Sequence, residues 1–372
     1  MRRLMTGNRP AHSSDARLDA GAGGERRGRR VAASPCGAGP RVVDGSDRSI
    51  RLAVAMLRAG EVVAVPTETV YGLAADASNP EAVSRVFAAK GRPGDHPLIV
   101  HLRSGANLAE WARHIPVQAS RLAEAFWPGP FTMVLDRHPS VLDAVTGGQD
   151  TVALRIPSHP VIQRILQDFG GGLAAPSANR FGHVSPTTAR HVCDGLAGSV
   201  GLVVDGGPCE VGIESTIVAF EGDEVVILRP GGVSPEAVAS VIGRQVRTGA
   251  RGVVRAPGML ASHYAPATPL ELCSAAEAPS RAAKLVSLGK RVGVLSLGRT
   301  EAPGAAATWD AGGDMAAFAR SLYHFMRQAD TEALDVLVVA LPPVEGLGAA
   351  VRDRLRRAAH RPVSADHRDH DH

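Results

Sequence analysis

From Ser49 onward, short apolar runs of strand length alternate with longer segments of helical character, and this alternation constrains the fold more than any other feature of the chain. Strands that follow one another through helices build layered α/β sheets, because each helix must lay its apolar stripe on a sheet face. The strand-length runs are EVVAV (61–65), PLIVHL (97–102), FTMVL (131–135), TVALRI (151–156), GLVVD (201–205), STIVAF (215–220) and EVVILR (224–229). Three helices carry clear start signals. Asn79 caps one that opens on Pro80 and ends at Gly91; a second start is read at Ser185 and Pro186, and a third helix runs from Ser234 and Pro235 towards Gly243.

The periodicity is lost over 244–269, which reads as a linker. A second alternation follows over 270–360: a helix near 276–288, the strand RVGVLSL, a helix over 314–328, the strand DVLVVAL and a helix near 347–359. So few strands predict a small three-layer unit. The main α/β unit is expected over 49–243.

Charge divides the chain unevenly. Residues 1–48 hold ten Arg against five Asp and Glu, a balance of +5, so the net charge of +4 leaves −1 for residues 49–372. That balance weighs against an extended nucleic-acid groove. The first 48 residues, rich in Arg, Gly, Ala and Ser, read as a disordered leader. Their five acids oppose an organelle transit peptide, and they contain no apolar core of a secretory signal. The tail 361–372, with three His among Asp and Arg directly after His360, reads as solvated and disordered. No run approaches about 18 apolar residues. Cys36, Cys193, Cys209 and Cys273 form no Cys-x-x-Cys pair, which favours reduced thiols and a cytoplasmic protein over a disulfide framework or zinc site.

The chain lacks a Gly-x-x-x-x-Gly-Lys loop, a Gly-x-Ser-x-Gly elbow and a His-Glu-x-x-His helix. Four other loops at strand ends are dense in hydroxyl, amide or basic groups: PTETVYG, KGRPGDHP, APSANRFGHVSP and GIESTIV, with LRPGG at a further strand end. Such loops converge on a crevice in open α/β sheets. In PTETVYG an extended backbone would place Thr67, Thr69 and Tyr71 on one face. Lys90 is the one lysine among the first 283 residues, in a chain with 41 basic residues. Two readings fit it. A cation at a helix C-terminus gains about 0.3–1 kcal/mol from the macrodipole; a mobile ammonium two residues from the guanidinium of Arg92 also suits a phosphate. PSAN and RPGG taken alone are turn chemistry more often than they are sites.

In this order the loops resemble those of the L-threonylcarbamoyladenylate synthases, whose core is the YrdC-like domain. The similarity runs from EVVAVPTETVYGLAADA through KGRP..HPLIVH, WPGPFTMVL, TVALRIPSHP, LAAPSANRFGHVSPT and GIESTIV to LRPGG. PGM..SHYAPATPL and EGLGAAVRDRLRRAA resemble the two-domain branch of that family.

The resemblance implies a twisted mixed α/β sheet with a central cavity, followed by a small Rossmann-like three-layer domain. It implies synthesis of threonylcarbamoyl-AMP and pyrophosphate from L-threonine, bicarbonate and ATP with Mg2+. The product would serve partner proteins that modify the adenosine beside the tRNA anticodon. By the same resemblance, Thr69, His101, Arg155, Ala175 and Ser215 form the threonine pocket. Lys90, Arg92, His96, Thr151, Ser177, Asn179, Ser185 and Arg229 face ATP, with Lys90 and Arg92 as the catalytic charges. Tyr264 lies over the cavity mouth, and no protein side chain ligates the metal. His96 stands where the family commonly carries asparagine, and LAS precedes HYAP where the family usually carries basic residues. An RNA-binding or ribosome-maturation factor built on the same domain is the competing reading. A carbamoyl-transfer module of a hydrogenase-maturation protein is disfavoured by the missing zinc-finger cysteines.

Overall fold

The computed structural model describes residues 39–249, 256–259 and 263–360. The expectations for 1–38, for the tail 361–372 and for the LAS segment at 260–262 lie outside these residues.

The chain begins with β1 (Arg41–Val43), α1 (Asp47–Arg58), β2 (Val63–Val65) and β3 (Gly72–Asp76). Next come α2 (Pro80–Lys90), β4 (Ile99–His101), α3 (Val117–Phe126), β5 (Phe131–Asp136), α4 (Asp143–Thr146) and β6 (Thr151–Arg155). The first unit closes with α5 (Pro160–Phe169), β7 (Leu173–Ala174), α6 (Ala189–Leu196), β8 (Leu202–Val204), β9 (Thr216–Glu221), β10 (Glu224–Arg229), α7 (Pro235–Ile242) and β11 (Arg247–Thr248). Eleven of these strands form one mixed sheet in the order β1-β8-β2-β3-β7-β4-β6-β5-β9-β10-β11.

Local chemistry explains the well-marked helices. The Asn79 side chain accepts from the amides of Glu81 and Ala82, Pro80 occupies the first turn, and Gly91 ends α2 in the left-handed region at φ 60°. Ser234 and Gly243 bound α7 in the same way. The start read at Ser185 and Pro186 is displaced: Thr188 caps α6 by accepting from the His191 amide, and the Ser185 hydroxyl is engaged elsewhere. The leader's expected end at residue 48 falls too late, because β1 pairs in parallel with β8 and α1 starts at Asp47. β11 lies inside the segment read as a linker and pairs with β10.

The second sheet is wholly parallel, in the order β12-β15-β13-β14, built from β12 (Leu270–Cys273), α8 (Ala278–Ser287), β13 (Val292–Ser296), β14 (Ala307–Asp310), α9 (Met315–Thr331), β15 (Val336–Ala340) and α10 (Gly348–Ala359). On the α8 side Ala282, Val292, Val294, Val336 and Val338 form a cluster within the unit, but the other side has no core of its own. Leu322, Met326, Val351 and Leu355 of α9 and α10 share one buried cluster with Val70, Val184, Ile213 and Tyr264.

The register of the large sheet positions the site. His101 pairs with Arg155, and Ile99 with Ala153. Since alternate residues share a face, one face presents an apolar strip of Ile99, Ala153, Val134 and Ile217, with Ala256 and Met259 of the linker packed on it. His101 and Arg155 continue that face towards the strand ends.

Candidate active site

Beyond the apolar strip lies a cavity of about 50 Å³, lined by Thr67, Thr69, Val70, Arg92, His101, Arg155, Ala175, Ser177, Glu214, Ser215 and Arg229 on the sheet side and by Pro257, Gly258, His263 and Tyr264 of the linker. All five residues assigned to the threonine pocket line it. Of those assigned to ATP, Arg92, Ser177 and Arg229 do so; Lys90, His96, Thr151, Asn179 and Ser185 do not.

Thr67 begins a tight turn. Its hydroxyl donates to the Val70 carbonyl at 2.6 Å, accepts from the Val70 amide at 3.2 Å, and lies 2.9 Å from the Thr69 hydroxyl. The turn breaks the extended alternation expected through PTETVYG. Val70 therefore lines the cavity, and Tyr71 points away, donating to the Gly207 carbonyl at 2.7 Å.

Arg155 is buried, reaching the Gly129 carbonyl with Nε at 3.3 Å and Glu68 Oε1 with Nη2 at 2.7 Å. The pair is almost solvent-free, with side chains 4% and 3% exposed, and Glu68 Oε2 has no partner. A carboxylate therefore already accepts from the guanidinium. Beside it, burial and then the charge of Arg155 push the His101 pKa down to about 3, so its imidazole is neutral. Its Nδ1 is buried without a partner.

Arg229 binds the Ser215 carbonyl with Nη2 at 2.8 Å and the Pro257 carbonyl with Nη1 at 2.8 Å, tying the linker to the pocket wall. The Ser215 hydroxyl sits 2.8 Å from that of Thr132. Gly231 passes so close to the backbone of Ser215 and Thr216 that a Cβ there would collide with it, which accounts for the glycine in LRPGG. Arg92 donates to the Pro97 carbonyl at 2.9 Å, lies 5.7 Å from the Phe181 ring centre and leaves Nε buried without a partner. Burial lowers its pKa to about 10.

Lys90 sits behind the cavity. Its ammonium donates to the carbonyls of Ser177 and, at 2.6 Å, Asn179, while its own carbonyl accepts from the Phe181 amide at 2.9 Å. Burial, then Arg92, holds its pKa well below the usual lysine range. The Asn179 amide group donates to the Arg180 and His183 carbonyls, and Ser185 donates to Glu214 at 2.6 Å. His96 packs edge-on against Phe181 at 5.3 Å. Thr151 shares the sheet face of Arg155 but lies four residues back along β6, roughly 13 Å away, beside a separate depression with Asp136 and Ala219.

Sequence reasoning missed Glu68, Glu214, Thr132 and His263. The two acids carried a usable signal: each lies within a hydroxyl-rich loop, TET or EST, read as part of the site, and such acids are rarely buried unless paired.

Buried strand-end guanidiniums, a neutral imidazole and clustered hydroxyls line one pocket on a mixed α/β sheet, a lining suited to anionic groups. A family model described as "Telomere recombination", named for Sua5, YciO and YrdC, matches residues 55–231, and one described as "Threonylcarbamoyl-AMP synthase, C-terminal domain" matches 233–360. The threonylcarbamoyl-AMP synthase of Pyrococcus abyssi is 39% identical over 321 residues, covering 83% of this chain and 94% of that protein. That of Bacillus subtilis is 40% identical over 326 residues, covering 84% and 94%. The crystal structure of P. abyssi Sua5 complexed with L-threonine superposes with a TM-score of 0.80 at 38% identity, covering 86% of this chain and 97% of the other. The chain belongs to the threonylcarbamoyl-AMP synthase family, enzymes of nucleotidyl-transfer type.

Among the described residues, no helix is long and apolar enough to cross a membrane.

Proposed function

We propose that this chain condenses L-threonine, bicarbonate and ATP into threonylcarbamoyl-AMP and pyrophosphate, supplying proteins that modify the adenosine beside the tRNA anticodon. The observation that carries the reading is the convergence of Thr69, His101, Arg155, Ala175 and Ser215 on one buried cavity. Arg155 offers a planar fork matched to the amino-acid carboxylate. The unpartnered Nδ1 of the neutral His101 gives the substrate's hydroxyl or amine a hydrogen-bond partner.

The threonine amine attacks the carbon of carbon dioxide or bicarbonate, giving a carbamate, with a proton passing to solvent in the first case and water leaving in the second. A carbamate oxygen then attacks the α-phosphorus, the bond to the bridging oxygen breaks, and pyrophosphate departs in line. Such transfers ask the protein to position reactants and neutralise charge, so no side-chain nucleophile is required. Arg92 and Arg229 supply that charge from the cavity wall, and Lys90 acts through the Ser177–Asn179 loop that it anchors. Glu68 and Glu214 are already committed to Arg155 and Arg354. Magnesium therefore enters with the triphosphate as part of the substrate.

By the measure that gives a water about 10–15 Å³, the 50 Å³ cavity holds only a few waters. A nucleoside triphosphate enters only if the linker withdraws, and in the bound state the Tyr264 end of the linker returns while the Ala256–Met259 end stays displaced. Ala256 and Met259 would then uncover the apolar strip between Arg155 and Thr151, a surface suited to a base and ribose.

Purified protein with ATP, magnesium and bicarbonate should release pyrophosphate only when L-threonine is added, and threonylcarbamoyl-AMP should appear in step. Pyrophosphate release indifferent to threonine would refute the assignment. Salt-sensitive RNA binding without pyrophosphate release would favour the RNA-binding reading instead.

A further inference from the structure

Three features at the border of the two sheets do not follow from the reaction itself. Arg354 of α10 is fully buried, whereas Arg356, two residues on, is exposed and Arg352 and Arg357 are partly so. Glu214 precedes Ser215 in the cavity wall and gathers donors from both units: Ser185 on Oε1 at 2.6 Å, and Tyr323 at 2.8 Å and Arg354 Nε at 2.7 Å on Oε2. Tyr264 adopts φ 63°, in the left-handed region that a bulky residue enters only when its surroundings hold it there. Its hydroxyl is buried without a partner.

Tyr264 therefore does not hold its own position. Packing does: the Arg354 guanidinium lies 5.0 Å from its ring centre, Tyr323 stacks on it at 5.8 Å, and His263 meets it edge-on at 4.1 Å. Two of these three supports come from the second unit and also bind Glu214. One guanidinium thus serves as hydrogen-bond donor to the carboxylate in the cavity wall and as cation over the aromatic ring that closes the cavity. Asp353 fixes its orientation, accepting from Nη1 at 2.5 Å.

We infer that Arg354 is a positioning residue for the synthase reaction: through Glu214 and Tyr264 it makes the second unit part of the active site and holds the cavity closed over bound substrates. The inference rests on the function proposed above. Without Arg354 the strained Tyr264 segment opens more readily, and each substrate must offset more of the closure free energy. Apparent affinity then falls while turnover of the closed complex persists.

The test uses the full chain. Arg354→Lys keeps the charge but loses the fork. It should raise KM for ATP and for L-threonine about tenfold, equivalent to about 1.4 kcal/mol, with kcat within about twofold. Hydrogen exchange at the Ala265 amide, which donates to the Gly182 carbonyl at 2.9 Å, should accelerate by a similar factor. Tyr323→Phe deletes only one hydroxyl and covers the case in which Arg354→Lys fails to fold; it should shift both readouts in the same direction by a smaller factor. Arg320→Ala removes another bond between the units, Nε to the Glu210 carbonyl at 2.9 Å, and should leave both unchanged.

Folded Arg354→Lys and Tyr323→Phe variants with wild-type KM and wild-type exchange would overturn the inference. So would an equal KM rise in Arg320→Ala, because a loosened interface alone would then account for it. If the unaltered protein releases no threonine-dependent pyrophosphate, the proposed function fails. The exchange measurement still decides the role of Arg354.

Discussion

Replacing Lys90 with methionine keeps the aliphatic stem and removes the ammonium, which separates two accounts of this residue by magnitude. If Lys90 were only a helix-end cation, its loss would cost about 0.3–1 kcal/mol. The structure instead has its ammonium holding the buried carbonyls of Ser177 and Asn179. Leaving two buried acceptors unsatisfied costs about 1–3 kcal/mol each. Part of that sum is returned, since the ammonium is itself desolvated and burial drives its pKa well down. We expect a net loss of about 2–4 kcal/mol, and a melting midpoint lowered by roughly 4–10 °C.

Turnover should fall as well, because the loosened loop carries Ser177 into the cavity wall. Circular dichroism melts and pyrophosphate release on the same preparations provide the assay. A Lys90→Met protein that melts within about 1 °C of the parent and turns over normally would show that the carbonyl contacts carry no weight. The helix-end account would then suffice. Because Lys90 is buried, its truncation costs stability as well as turnover.

Two further outcomes follow from the buried charges. Arg155→Met leaves the Glu68 carboxylate buried and unpaired, so urea unfolding should show a loss of about 3–5 kcal/mol. Adding Glu68→Gln should restore most of the stability but none of the threonine-dependent turnover, and recovery of turnover would remove Arg155 from the substrate site. His101 and His263 are each held neutral by burial with pKa about 3, against about 6.5 in an unfolded chain. Because the folded values are depressed, their contribution is complete above about pH 6.5 and is lost as pH falls towards 3. By pH 5 each should cost about 2 kcal/mol. Melting midpoints should therefore fall between pH 7.5 and 5, less steeply in His101→Phe; identical slopes would contradict the assignment.

The parts of this fold that were legible in the sequence are those whose determinants are local. α2 and α7 announce themselves through Asn79, Ser234 and their terminal glycines, and the long strands through unbroken apolar runs. β3 was missed because GLAAD is made of small residues without β-branching, and β7 because two residues show no period. The false helix start at Ser185 has a tertiary cause: its hydroxyl is spent on Glu214. The same division holds in the site. Hydroxyls, His101 and Arg155 could be assigned from loops at strand ends, whereas the acceptors of Lys90 are backbone carbonyls 87 and 89 residues away, which no side-chain pattern encodes.

Arg354 shows that some of what went unread was nevertheless present. RDRLRRAA looks like a solvated helix face by composition. By position, Arg354 falls with Val351, Leu355 and Ala358, all buried, on one stripe at helical spacing. Arg356 lies off that stripe and is exposed. A charge on an apolar stripe must find a buried counter-charge or unfold the helix end. In this chain one such partner is Glu214, an acid flanked by the apolar Ile213 and by Ser215. Each residue is anomalous in its own segment, and the two anomalies resolve each other across 140 residues.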